Sequence, residues 1–109
     1  MSNKVEIKQI NLAKRLTAWD SLRLDLINSK EATIALLQEP YLKKGFKMPY
    51  IKGYQAVYDS ESRARPRAVI LIHNSLEYTT IPSLIGPDIV TIDRKSTRLN
   101  SSHEWISRM

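Results

Sequence analysis

Apolar and polar positions cut the first 92 residues into short extended segments and one stretch of helical spacing. Lys4-Val5-Glu6-Ile7-Lys8 alternates charge with β-branched residues, the period of a half-buried strand, and Gln9-Ile10-Asn11 prolongs it. Leu12, Leu16, Trp19, Leu22 and Leu26 step by four, three, three and four, which predicts one face of an amphipathic helix. Asn11 is then the expected N-cap, and Asn28-Ser29-Lys30 closes the helix. Thr33-Ile34-Ala35-Leu36-Leu37-Gln38 carries almost no polar interruption, as expected of a strand covered on both faces. Pro40 cannot donate to a ladder and favours extended geometry at Glu39, so the strand should stop there. Glu39 is therefore expected at the C-terminal edge of a central strand, where open α/β sheets place ligands.

Strand, helix and strand in this order make a right-handed βαβ crossover if the two strands share a sheet in parallel. Tyr41 to Lys52 has no clear period and is expected to form a loop over the sheet edge. Tyr54–Tyr58 alternates again, and Ala68–Ile72 is a second apolar run, ended by His73. Tyr78–Ile81 and Asp88–Ile92 read as further strands around a Pro82–Pro87 turn. The pattern is that of an α/β (α+β) domain with a mixed sheet.

The formal charge of +6 changes the picture by suggesting a polyanionic partner. Lys43, Lys44 and Lys47 are interleaved with Tyr41, Phe46 and Tyr50, a mixture suited to gripping phosphates and stacking on bases. Arg63, Arg65 and Arg67 alternate, which in an extended segment places them on one side, again suited to phosphate. A solvated loop and a charged, soluble sheet edge are the plainer readings of the same residues. Cysteine is absent, so there is no disulfide framework or thiolate metal site. The first residues lack the apolar core of a signal peptide, and no run approaches the about 20 apolar residues of a membrane span. An intracellular protein with no membrane partner is expected; no protein partner can be inferred. His73 has no second histidine in the body and is expected to be structural.

From Asp93 to Met109 the apolar rhythm stops. Back-translation of Asp93 to His103 yields codons that resemble a widely used short-read sequencing adapter. Ser107-Arg108-Met109 fits the adapter segment that follows its variable barcode, with Glu104, Trp105 and most of the Ile106 codon as the barcode. Residues 93–109 are accordingly expected to be a non-native, disordered tail, and residues 1–92 a partial domain. Arg94, Lys95, Arg98 and Arg108 then leave the functional charge inventory, as do His103 and Trp105.

Gln9-Ile10-Asn11-Leu12, the helix, Leu37-Gln38-Glu39-Pro40-Tyr41 and Arg67-Ala68-Val69-Ile70 follow one another in an order that resembles the endonuclease/exonuclease/phosphatase superfamily. The likeness is greatest to the endonuclease domain of non-LTR retrotransposon reverse-transcriptase polyproteins, and covers about Val5 to Ile92, its N-terminal half. The resemblance implies half of a four-layer α/β/β/α sandwich and Mg²⁺-dependent hydrolysis of DNA phosphodiesters. It makes Glu39 the metal ligand, and places Asn11, the other catalytic residue, beside the metal and the scissile phosphate. A nuclear location is implied for the parent retroelement protein. Ala13 stands where some relatives carry an acid. The family's later Asp-x-Asn and terminal Asp-His motifs have no counterpart before Ile92. The chain as written is therefore expected to be an inactive fragment, with an uncovered sheet face that limits solubility. A small basic nucleic-acid-binding domain without catalysis is the alternative, and a superfamily phosphatase acting on a lipid or nucleotide a third reading.

Overall fold

The computed structural model describes residues 5–60, 64–95 and 102–108. Strand β1 (Val5–Asn11) leads through a turn into helix α1 (Leu16–Asn28), followed by β2 (Ala32–Gln38), β3 (Tyr54–Val57) and β4 (Ala68–His73). These strands form a sheet of order β1-β2-β4-β3. β1 runs parallel to β2, with Val5 opposite Ala32 and Asn11 opposite Gln38. β4 is antiparallel to both β2 and β3. The expected βαβ crossover and mixed sheet are both present.

A second, antiparallel sheet contains β5 (Thr79–Thr80), β6 (Ile89–Lys95) and β7 (Ser102–Arg108) in the order β5-β6-β7. The turn between β5 and β6 holds a single 3-10 turn, Pro82–Leu84, started by a proline whose missing N–H costs nothing at that position.

Alternation along β2 and β4 divides the core in two. Ala35, Leu37, Val69 and Leu71 face α1, where they meet Trp19, Leu22 and Leu26. Ile34, Leu36, Ala68, Ile70 and Ile72 face the other way, onto Val90 and Ile92 of β6. The sequence therefore builds a helix layer and two sheets, with β2 and β4 buried on both faces. That explains why these two segments are continuous apolar runs whereas β1, at the sheet edge, alternates. Each fully buried Val, Leu or Ile among these contributes about 1.5–3 kcal/mol relative to exposure.

Three expectations are corrected. Asn11 does not cap the helix: it is the last residue of β1, and its Oδ1 accepts the N–H of Ala13 at 2.9 Å. The helix starts after Arg15, whose extended backbone makes no side-chain cap. Leu16 is 49% exposed, so the buried stripe is Trp19, Leu22 and Leu26, with Leu12 buried from the preceding turn. The segment expected to be disordered is paired from Ser102 to Arg108 with β6, Val90 standing opposite Ser107. Backbone pairing needs no particular side chains, and this strand's register buries Ser107 and exposes Ile106, the reverse of their polarity. Among the described residues no helix is long and apolar enough to cross a membrane.

Candidate functional site

The C-terminal ends of β1 and β2 lie level, and the chain leaves both through left-handed residues. Ala13 and Lys14, after β1, have φ of +50° and +59°, and Glu39, after β2, has φ of +49°. Glu39 thus ends the strand as expected but is not extended. Backbone hydrogen bonds hold it in this sparsely populated region. Its N–H donates to the Arg67 carbonyl at 3.0 Å, and its carbonyl accepts the Lys14 N–H at 2.9 Å. The Leu12 N–H likewise donates to the Gln38 carbonyl at 2.9 Å, so the two departing segments stay laced together beyond the ladder. Residues held in such conformations cost of order 1–3 kcal/mol each and persist where the surroundings over-determine them.

The consequence is a carboxylate aimed back at the turn. Glu39 Oε2 is shielded from solvent and has no hydrogen-bond partner. Its neighbour is Lys14 Nζ at 3.6 Å, an ion pair beyond hydrogen-bonding range. Asn11 stands opposite Gln38, one residue before Glu39. Its Oδ1 accepts the Ala13 N–H, and the amide keeps its NH₂ group, a pair of donors suited to an anionic oxygen. Beneath the edge, the Ser107 hydroxyl donates to the Leu37 carbonyl at 2.7 Å, and Gln38 Nε2 approaches Ser107 Oγ at 3.5 Å.

Of the expected nucleic-acid-binding residues, Lys43, Lys44 and Lys47 are brought together. They form a tight turn in which Lys43 N–H donates to the Lys47 carbonyl at 2.8 Å, with Gly45 and Phe46 in left-handed conformation. All three are exposed. Arg65 and Arg67 do not share a free face. Arg65 donates from Nη2 to the Pro40 carbonyl at 3.2 Å and lies 5.8 Å from the Phe46 ring centroid, joining the lysine turn to the end of β2. Arg67 donates through Nε to Asp88 at 2.7 Å. Arg63 lies outside the described residues. Sequence reasoning missed Lys14, which it assigned to the helix, because no glycine or turn signature announces two consecutive left-handed residues there.

Two features bear on a divalent ion. A shielded carboxylate oxygen without a hydrogen-bond partner suits a hard cation, which Mg²⁺ sites of one or two carboxylates complete with water and phosphate oxygens. No group of three or more His, Cys, Asp or Glu that could hold a metal occurs among the described residues. Glu39 therefore fits as a lone carboxylate ligand, not as part of an all-protein cage.

Among the described residues the architecture is a mixed α/β fold of one helix and two sheets, of the α/β sandwich type. No protein-family model and no curated protein matches the chain. Among solved structures, the endonuclease domain of TRAS1, a telomere-specific non-LTR retrotransposon, is similar in fold, with a TM-score of 0.73 at 21% identity. The match covers 96% of this chain, more than residues 1–92 make up, and 44% of that one. The chain thus spans less than half the length of that structure.

Proposed function

We propose that the chain is part of a metal-dependent endonuclease of the retrotransposon type, in which Glu39 holds Mg²⁺ and Asn11 contacts the scissile phosphate. The observation that carries this reading is Glu39 Oε2, shielded and without a hydrogen-bond partner at the strand edge where α/β folds bind ligands. When bound there, Mg²⁺ supplies polarisation of a phosphoryl oxygen and stabilisation of the leaving group. The protein's part is positional. The left-handed turn at Glu39 fixes the carboxylate, Asn11 offers amide donors to phosphate, and the Lys43–Lys47 turn holds the DNA backbone without reading sequence.

Among the described residues one carboxylate with no positioned general base is incomplete machinery for in-line hydrolysis, so this chain alone is proposed to bind but not to cleave. Residues 93–109 are proposed, on their codon resemblance, to be foreign to the parent domain; an independent reading of the source DNA across the codons for Thr91 to Met109 tests that. A nuclear site of action follows from the same proposal.

Calorimetric titration of the chain with Mg²⁺ tests the metal assignment: Glu39→Gln should abolish the binding heat. Retention of that heat would leave the alternative, a basic α/β domain that binds nucleic acid without catalysis. The exposed lysine turn, which needs no metal, favours that reading to the same degree.

A further inference from the structure

We propose that Lys14 is the resident counter-ion of the Glu39 carboxylate, and that a divalent cation must displace its ammonium group to bind. The inference rests on the reading of Glu39 as a metal ligand and adds what sets its loading threshold. A carboxylate shielded from water is costly unless its charge is compensated. The ammonium of Lys14, with Nζ 3.6 Å from Oε2, supplies that compensation.

Lys14 is delivered there by the backbone. Its φ of +59° and its N–H bond to the Glu39 carbonyl fix its Cα beside the strand end, independently of the ammonium contact. The side chain itself is free to leave. It is 52% exposed, whereas Glu39 is 21% exposed, and the 3.6 Å separation marks an ion pair without a hydrogen bond to break. A lysine suits this role better than an arginine. Its point charge on a flexible stem can swing into solvent, whereas a guanidinium fork would bind the carboxylate through two oxygens and resist exchange. Metal loading is then an exchange of one charge for two at the same oxygen, with the turn geometry unchanged.

The test is calorimetric titration of Mg²⁺ into the full chain and its Lys14→Met, Lys14→Arg, Lys43→Met and Glu39→Gln variants, each first verified as folded by circular dichroism. Lys14→Met should tighten binding by roughly two- to fivefold, the range an ion pair this exposed supports. Lys14→Arg should bind no tighter than the unmodified chain, and Lys43→Met should change affinity less than about twofold. In chain carrying ¹³C-methylated lysines, the Lys14 resonance should move on Mg²⁺ addition, and should not move in Glu39→Gln. Unchanged or weaker binding by folded Lys14→Met, with binding lost in Glu39→Gln, overturns the exchange while the metal assignment stands. If Lys14→Met does not fold, a Lys14 resonance that stays put while Mg²⁺ binds overturns it instead. Mg²⁺ binding that survives Glu39→Gln, or is absent from the unmodified chain, overturns the metal assignment and the exchange with it.

Discussion

Lys14 and Glu39 meet twice: the Lys14 N–H donates to the Glu39 carbonyl at 2.9 Å, and the Lys14 ammonium lies 3.6 Å from the Glu39 carboxylate. The first bond ties the turn after β1 to the end of β2. The second is an ion pair at the mouth of the candidate site. Two residues 25 positions apart in sequence thus share a backbone contact and a side-chain contact, and both depend on left-handed conformations that neither residue prefers.

Ala13→Gly should therefore be neutral to stabilising, by up to about 1 kcal/mol, because glycine adopts a φ of +50° without the Cβ clash. Ala35→Gly, in the middle of β2, should destabilise by about 1–2 kcal/mol, because a buried methyl is lost as well as backbone order. Urea unfolding of the two variants checks the contrast. A loss of stability in Ala13→Gly as large as in Ala35→Gly would mean that the turn is not held as described.

Ser107 is buried and hydrogen-bonded to the Leu37 carbonyl, whereas its neighbour Ile106 is 38% exposed. Ser107→Ala should cost about 0.5–1.5 kcal/mol, the net worth of the hydrogen bond it removes. Ile106→Thr, which keeps the β-branched shape at this exposed strand position, should stay within about 0.5 kcal/mol of the unmodified chain. Chemical denaturation distinguishes this inverted pattern from the one that residue polarity alone suggests.

The exposed cations of the Lys43–Lys47 turn should dominate DNA affinity. Changing Lys43, Lys44 and Lys47 together to glutamate should weaken binding of a labelled duplex and flatten the logarithmic dependence of affinity on salt, by about 0.9 for each phosphate no longer neutralised. Arg67→Ala, which removes a side chain already paired with Asp88, should change affinity far less. Fluorescence anisotropy at several salt concentrations reads both; equal effects would return Arg67 to the interface.

Burial raises the pKa of the Tyr78 phenol above its ordinary 10.0, and its hydroxyl donates to Gln55 Oε1 at 2.7 Å. Below that value both folded and unfolded chains carry a neutral phenol, and the contribution is intact. Above it the unfolded chain ionises first, so stability falls as pH rises towards the folded pKa. Tyr78→Phe should be less stable at neutral pH but lose less on going from about pH 9 to pH 11. Melting temperatures across that range, compared between the two chains, check the sign.

The strands were legible where burial imposes a pattern. β2 and β4 are continuous apolar runs because helix and second sheet cover opposite faces, and β1 alternates because it lies at the edge. The position of Glu39 followed from Pro40, which ends the strand. The turn from Asn11 to Arg15 was not legible: Leu12 and Leu16 keep helical spacing, yet Leu12 is buried from a turn and Leu16 points to solvent. Left-handed Ala13, Lys14 and Glu39 are fixed by bonds to distant segments, which local propensity does not record. β7 was illegible for a different reason, since its pairing with β6 uses backbone groups that every residue carries. The lysine turn was found from composition. The separation of Arg65 from Arg67 was not, because alternation fixes direction only in a regular strand and this segment is irregular.

The order β1-β2-β4-β3 also says how the molecule is assembled in time. β1, α1 and β2 form one neighbourhood along the chain, and β3 with β4 forms another as an antiparallel pair. The seam that unites them runs from Ile34 against Ile72 to Gln38 against Ala68, the pairing of longest sequence separation in that sheet. Closing such a loop costs entropy before its contacts repay it, so the β2–β4 seam should be the slow event in folding. Until that seam closes, the two most apolar strands present open edges to any other chain nearby, and refolding yield should fall as protein concentration rises.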